Sequence, residues 1–155
     1  MIREAEEKDL ERIRELRKEV HALHVKGEPQ VFNPEFSEGL VKLANKFVKD
    51  NDKQLLVYEE DGKICGYAMI EFVEKEESIY RKYTKYLEVG ELGVDSNCRS
   101  KGIGKKLMSH IENIAKQKQV DEIQLNMWEF NQRALNFYER SGYETFRRYL
   151  RLRIK

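Results

Sequence analysis

Several large protein classes leave a mark that this sequence lacks. It holds only two cysteines, Cys65 and Cys98, too few for a disulfide framework and at no metal-type spacing. That scarcity points to a reducing compartment, so we expect the protein to be cytoplasmic. No stretch approaches the ~20 apolar residues a membrane span needs. Residues Met1 to Glu7 carry no apolar signal region. We therefore expect no membrane partner. With two prolines and nine glycines, the chain shows no low-complexity linker and no internal repeat. Net charge is also missing: 29 basic and 28 acidic side chains cancel to +1. Such a balance supplies no field to draw the chain to nucleic acid.

What is present suits one compact domain spanning residues 1–155. Hydrophobic residues at 40% can build a core, and charged residues at 37% require a largely ionic surface. Asp9 to about His24 reads as a helix capped by Asp9, with Leu10, Ile13, Leu16, Val20 and Leu23 at helical spacing. A second helix is expected from about Ser37 to Val48. Then the period changes to that of strands. Gln54 to Glu59 and Ile64 to Val73 flank the turn signal Asp61-Gly62, which predicts a hairpin. Glu74 to Lys85 is polar and expected to be an exposed connection. A third strand, Tyr86 to Val94, contains Gly90 and Gly93, which often mark a bulge or a close approach. A helix from Gly102 to about Gln117, a strand from Glu122 to Trp128 and a short helix from Asn131 to Arg140 follow. Gly142 fits the position after a helix end that favours positive φ. In the last segment Leu150, Leu152 and Ile154 alternate with Arg151, Arg153 and Lys155. This predicts a final strand with its arginines on the wet face. Helices and strands alternate after the hairpin, so the expected class is α/β with a mixed sheet.

The strand-to-helix junction Leu92 to Lys106 carries the strongest chemical signal. A helix start presents unpaired N–H groups and the positive end of the macrodipole. Glycines let a phosphate reach the backbone, and Arg99, Lys101, Lys105 and Lys106 add charge. Together they suit a pyrophosphate. A Walker A loop does not fit, because Arg99 stands where its first glycine belongs and Lys106 where Ser or Thr belongs. A dinucleotide fingerprint does not fit either, because Leu107 replaces the third glycine.

Arg99-Ser100-Lys101-Gly102-Ile103-Gly104 resembles the R/Q-x-x-G-x-G/A signature of the GCN5-related N-acetyltransferase family. Glu91-Leu92-Gly93-Val94-Asp95 is similar to the family's fourth-strand segment, and Asn131 to Tyr143 to its second conserved block. The element order matches too, so the resemblance covers nearly the whole chain. It implies the acyl-CoA N-acyltransferase fold: a mixed, mostly antiparallel sheet splayed between the fourth and fifth strands, with flanking helices. It implies acetyl-CoA as co-substrate and an amine, of a small molecule or a protein, as acceptor. A non-catalytic acyl-CoA-binding regulatory module of the same fold is the alternative.

Carried onto this sequence, the resemblance assigns the pantetheine contacts to Leu92, Gly93, Val94 and Asn131. The pyrophosphate falls to Arg99, Ser100, Lys101, Gly102, Ile103, Gly104 and Lys105. Tyr138 would lie near the sulfur as general acid. Asn131 and Tyr138 are seven residues apart, nearly two turns, so one helix face carries both, roughly 10 Å apart. For the general base Glu91 stands first, with Glu88 and Glu71 as alternatives. The acceptor cavity of the family is often built from the first two helices and their loop, which makes His21, His24 and Phe32 lining candidates, together with Trp128 and Phe130. No metal is expected at the two imidazoles, which have no carboxylate or thiolate at ligand spacing. Domains of this type can pair as homodimers, and no feature of the sequence decides it.

Overall fold

The computed structural model describes residues 1–155. Its elements are β1 (Ile2–Glu4), α1 (Leu10–Gly27), α2 (Glu38–Lys49), β2 (Lys53–Glu60), β3 (Lys63–Lys75), β4 (Thr84–Val94), α3 (Ile103–Gln117), β5 (Glu122–Leu125) and α4 (Gln132–Arg140). The five strands form one sheet in chain order. Neighbours run antiparallel except β4 and β5, which are parallel and joined by the α3 crossover. This is the mixed sheet with flanking helices expected from the sequence.

Both faces of the sheet are covered, which explains why β2 reads Leu55-Leu56-Val57 without polar interruption. Leu55, Val57, Tyr67 and Met69 pack with Ile13, Leu16 and Phe47 under α1 and α2. Leu56, Ala68, Ile70, Leu87 and Val89 pack with Leu107 and Ile111 of α3. Leu107 and Ile111 are wholly buried; truncating either to alanine is expected to cost about 2–5 kcal/mol. The turn between β2 and β3 has φ 51° at Asp61 and 73° at Gly62. Both are positive, as a tight hairpin turn requires. Gly142 ends α4 with φ 90°.

Four corrections to the sequence-based expectations fall outside the β4–β5 opening. β1 was not anticipated, because three residues in a charged stretch show no period. Asp9 stands at the N-cap position of α1, but its side chain makes no cap bond to that helix. It sits in a preceding 3-10 turn, where its carboxylate accepts from the Glu6 N–H at 2.8 Å and from Arg3. The β3–β4 hairpin extends to the pair Lys75 and Thr84, so the exposed connection is shorter than expected. The final strand does not form: residues 143–155 lie in no helix or strand. Arg151 and Arg153 turn toward Glu28, beyond the end of α1, and Leu150, Leu152 and Ile154 face water. That is the reverse of the expected orientation.

Candidate functional site

The site begins with an irregularity in β4. Leu87 and Val89 face the α3 side, and simple alternation would put residue 91 there as well. The register slips instead: Ile70 pairs with Val89 and Met69 with Glu91, leaving Gly90 as a bulge. The extra residue turns the alternation over, so Glu91 faces α1 while Leu92 and Val94 pack on the α3 side.

The same strand loses its outer neighbour just past this point. β5 pairs with β4 only from Tyr86 to Val89 and ends at Leu125. The outer edge of Gly90 to Val94 is therefore free, which is the splay expected between these strands. The Asp95 N–H donates to the Cys65 carbonyl of β3 at 2.9 Å. Backbone groups alternate along a strand, so the N–H groups of Leu92 and Val94 point the other way, into the opening. Gly93 stands between these two residues. Its backbone faces β3, and a Cβ there would lie 2.4 Å from the Tyr67 ring. Its bareness makes room for Tyr67.

On the α1 side, Arg17 is buried and its Nε donates to Glu91 Oε1 at 3.0 Å. Its Nη2 donates to Oε2 at 3.3 Å, and its Nη1 donates to the Leu40 carbonyl. The Tyr67 hydroxyl also donates to Glu91 Oε1. Burial, then the Glu91 charge, pushes the Tyr67 phenol well above its ordinary pKa, so it remains a donor. Glu91 is thus held from two sides, and the outer lone pairs of Oε2 face the least competition. The alternative bases fare differently: Glu71 is paired with Lys53 at 3.2 Å, and Glu88 lies opposite it in the register.

Aromatic side chains cluster on the α1 side, near Glu91. His24 stacks on Phe32 with centroids 5.2 Å apart, Phe32 meets Trp128 edge-on at 5.1 Å, and Trp128 stacks with Phe130 at 6.5 Å. His21 packs edge-on to Phe36 at 5.7 Å, and its Nε2 contacts the Asn33 carbonyl at 2.9 Å. The expected lining residues His21, His24, Phe32 and Trp128 are therefore brought together. This also explains why β5 is shorter than the expected 122–128. From Asn126 the chain leaves the sheet, and Phe130 seats against α1, where Gly27 leaves space for its ring, while Trp128 meets Phe32 of the α1–α2 loop. Burial lowers the His24 pKa, against an opposing pull from Glu91.

At the other end, Asp95 anchors the turn into α3. Its carboxylate accepts from the Asn97 N–H at 2.8 Å, from Lys63 at 3.3 Å and from Arg12. Burial alone would raise its pKa, but these donors hold it below the usual carboxylate range. Cys65 and Cys98 meet beneath the turn with Sγ atoms 2.8 Å apart, both as free thiols. Burial pushes the Cys65 thiol up to about 11. Ser100 and Gly102 then take φ of 68° and 71°, and α3 starts at Ile103 without a side-chain cap. The Lys106 N–H already donates to the Gly102 carbonyl at 3.0 Å; those of Ile103, Gly104 and Lys105 precede it and are the free ones. The Ile103 side chain is core, so only its backbone can face a ligand. Lys101 is paired with Glu60 at 2.8 Å, while Arg99 and Lys105 are exposed beside the helix start.

α4 packs Phe137 and Tyr138 against the α3-side core. Asn131 caps it, its carbonyl oxygen accepting from the Ala134 N–H at 3.1 Å, which leaves the amide NH2 free to donate. The Tyr138 ring packs edge-on to Phe137 at 5.1 Å and to Tyr143 at 5.6 Å. Burial pushes its phenol up to about 12, so it carries a proton at neutral pH. Sequence reasoning missed Arg17 and Tyr67. Arg17 was detectable in principle, because it stands at i−4 from His21 and i−7 from His24 on the same helix face.

The β4–β5 pair splays past Val89, the start of α3 offers free N–H groups, and the order of strands and helices defines a class of α/β fold with a mixed sheet. The family model of the acetyltransferase (GNAT) family matches residues 10–143, and the chain belongs to that family. No curated protein matches the sequence. Among solved structures, a point mutant of the BH1408 protein from Bacillus halodurans is 28% identical, with a TM-score of 0.96 over 100% of this chain and 99% of that one. An acetyltransferase from Vibrio fischeri is 26% identical, with a TM-score of 0.66 over 83% of this chain and 96% of that one. The aminoglycoside N-acetyltransferase AAC(6')-Iy, solved with CoA, is 15% identical and shares the fold with a TM-score of 0.74, over 100% of this chain and 99% of that one. No helix is long and apolar enough to cross a membrane.

Proposed function

We propose that residues 1–155 act as a single N-acetyltransferase domain that moves the acetyl group of acetyl-CoA to a primary amine of a small molecule or a protein. The observation that carries this reading is the free edge of β4 from Gly90 to Val94, in line with the unpaired N–H groups that open α3. An extended amide-bearing arm suits the first, and a pyrophosphate suits the second. Arg99 and Lys105 flank the phosphate end, and the Asn131 amide faces the arm. Two buried free thiols fit a reducing, cytoplasmic setting.

Acetyl-CoA supplies the activated acetyl thioester when bound. The Leu92 N–H points into the opening and can receive the charge that develops on the carbonyl oxygen. Tyr138 holds the proton that the departing sulfur needs. An alkylammonium has a pKa near ~10.4, so the acceptor must shed a proton before it attacks. Glu91 is a carboxylate held in place on the unpaired stretch of β4, and its Oε2 can take that proton directly or through water. Arg17 and Tyr67 keep this carboxylate in place. The aromatic wall of His24, Phe32 and Trp128 encloses the acceptor. The amine enters between the α1–α2 loop and the segment after β5.

Two measurements on one sample test the proposal. Acetyl-CoA at about 100 times its Kd should add ~2.7 kcal/mol of stability and raise the melting temperature. Free thiol should then appear when amines are supplied. A rise in melting temperature with no thiol release from any amine points to the non-catalytic binding module. No rise at all removes the acyl-CoA reading.

A further inference from the structure

The rings near Glu91 belong to neither core. His24, Phe32, Phe36, Trp128 and Phe130 lie outside both buried clusters, and each keeps part of its surface in water. Trp128 is 37% exposed. The rings hold one another instead. His24 lies on Phe32 at 5.2 Å and meets Phe130 edge-on at 6.2 Å, and Phe32 meets Trp128 edge-on at 5.1 Å. Arg17 links the cluster to the carboxylate: its guanidinium lies 5.5 Å from the Phe36 ring centroid and its Nε donates to Glu91. A half-wet aromatic cluster adds little to folding. Aromatic surfaces beside a few fixed polar groups are the usual make-up of a small-molecule site.

Charge then limits which amine suits the cluster. Glu91 offers one carboxylate, and it alone of the carboxylates is felt at His24. Burial holds the His24 pKa below its ordinary value, so its ring is neutral near pH 7 and presents an apolar face. Glu28 directly follows Gly27, against which the Phe130 ring sits, but its carboxylate is already taken. The C-terminal arm, residues 144–155, brings Arg151 to Glu28 Oε1 at 3.1 Å and Arg153 to Oε2 at 3.6 Å. Two guanidinium groups on one carboxylate leave a positive surplus at this end of the cluster. A second ammonium on the acceptor would meet that surplus, and such a repulsive element sets specificity as much as an attractive one.

Resting on the acetyl-transfer reading, we propose that the acceptor is an arylalkylamine: one primary amine joined by a short chain to a flat aromatic body. The amine goes to Glu91 Oε2, and the aromatic body lies against Phe32 and Trp128. Covering these rings supplies the apolar share of binding. Polyamines and aminoglycosides are poor acceptors, because their further ammonium groups find Arg151 and Arg153 in place of a free carboxylate. The transfer balances. The thioester C–S bond breaks as the amide C–N bond forms. Net, the protonated amine and acetyl-CoA give the amide, the CoA thiol and one released proton.

Thiol release from acetyl-CoA should be compared for 2-phenylethylamine, n-butylamine, spermidine and kanamycin. The kcat/KM for 2-phenylethylamine should exceed that for n-butylamine by about 10–100-fold, and the two polycations should fall below both. In a folded Trp128→Ala variant most of that ratio should vanish. The second readout needs no turnover. Trp128 is the only tryptophan, so its emission reports on the cluster. With CoA present, 2-phenylethylamine should change it saturably and spermidine should not. Faster release from spermidine, kanamycin or n-butylamine overturns the inference and leaves the acetyl-transfer reading standing. So does a folded Trp128→Ala variant with an undiminished ratio. A saturable emission change with no thiol release from any amine does the opposite: the acetyl-transfer reading fails and the arylalkylamine site stands. No emission change with 2-phenylethylamine overturns the inference, whatever the other amines do.

Discussion

At the α3 end of the cleft, Arg99, Ser100, Lys101, Gly102, Ile103 and Gly104 are consecutive residues that offer mostly backbone and solvated charge. At the α1 end, Arg17, Tyr67 and Glu91 come from three different elements and offer buried side chains that satisfy one another. The first construction is local: positive φ at Ser100 and Gly102 and the uncapped helix start make it whatever the rest of the chain does. The second exists only when the helix and two strands are docked. Binding at the α3 end should therefore be robust and graded, whereas the reacting end should be sensitive to single atoms and coupled to stability.

The largest expected break in this contrast is Tyr138→Phe. It removes one oxygen at the reacting end and should lower kcat by about 10²–10⁴ while acetyl-CoA affinity, read by calorimetry, stays put. Full activity in this variant would exclude Tyr138 as the acid. Next comes Arg17→Ala, which leaves Glu91 without its buried partner. Breaking a buried pair costs about 3–5 kcal/mol, and because Glu91 retains some exposure we expect about 3 kcal/mol in urea unfolding. Replacing both charges, Arg17→Met with Glu91→Leu, should restore much of that stability but not turnover. Gly93→Ala pushes a Cβ into the Tyr67 ring and should cost about 1–3 kcal/mol by overpacking, with a fall in kcat as Tyr67 leaves Glu91. At the α3 end, Lys105→Ala should weaken acetyl-CoA binding by about 1 kcal/mol, roughly five-fold in Kd, and less at high salt. An effect of that substitution on kcat alone would contradict its place at the phosphate end.

The smallest effect concerns pH. His24 has a lowered pKa in the folded state, so below the unfolded value of about 6.5 the unfolded chain binds more protons. Its contribution is in place above that pH and is lost as pH falls through the folded pKa. Melting curves of the natural protein and of His24→Phe, which keeps a ring but cannot titrate, should diverge only on the acid side.

Most of the fold was legible because its signals are short-range. The Asp61-Gly62 turn, the α3 stripe of Ile103, Leu107 and Ile111, and the Gly142 stop each follow from neighbours a few residues away. Gly90 and Gly93 announced something unusual in β4. Only the structure separates the two: one is the bulge that turns Glu91 toward α1, the other the space for Tyr67. The early exit of β5 at Leu125 was hidden because Asn126 to Trp128 gives no stop signal; past it the chain places Phe130 against α1 and Trp128 against Phe32, contacts far away in sequence. Arg17 looked like any charged helix residue, since its partner lies 74 positions away.

By itself the sequence determined the helix and strand order, the anion-ready start of α3 and the family resemblance, because periodicity and local backbone chemistry act over a few residues. Tertiary structure alone decided that Glu91 is held by Arg17 and Tyr67, that aromatics from three segments share one wall, and that the arm shows water its apolar side. Each of these depends on surfaces that meet only after the chain has folded, and no local pattern encodes which distant residue will be the neighbour.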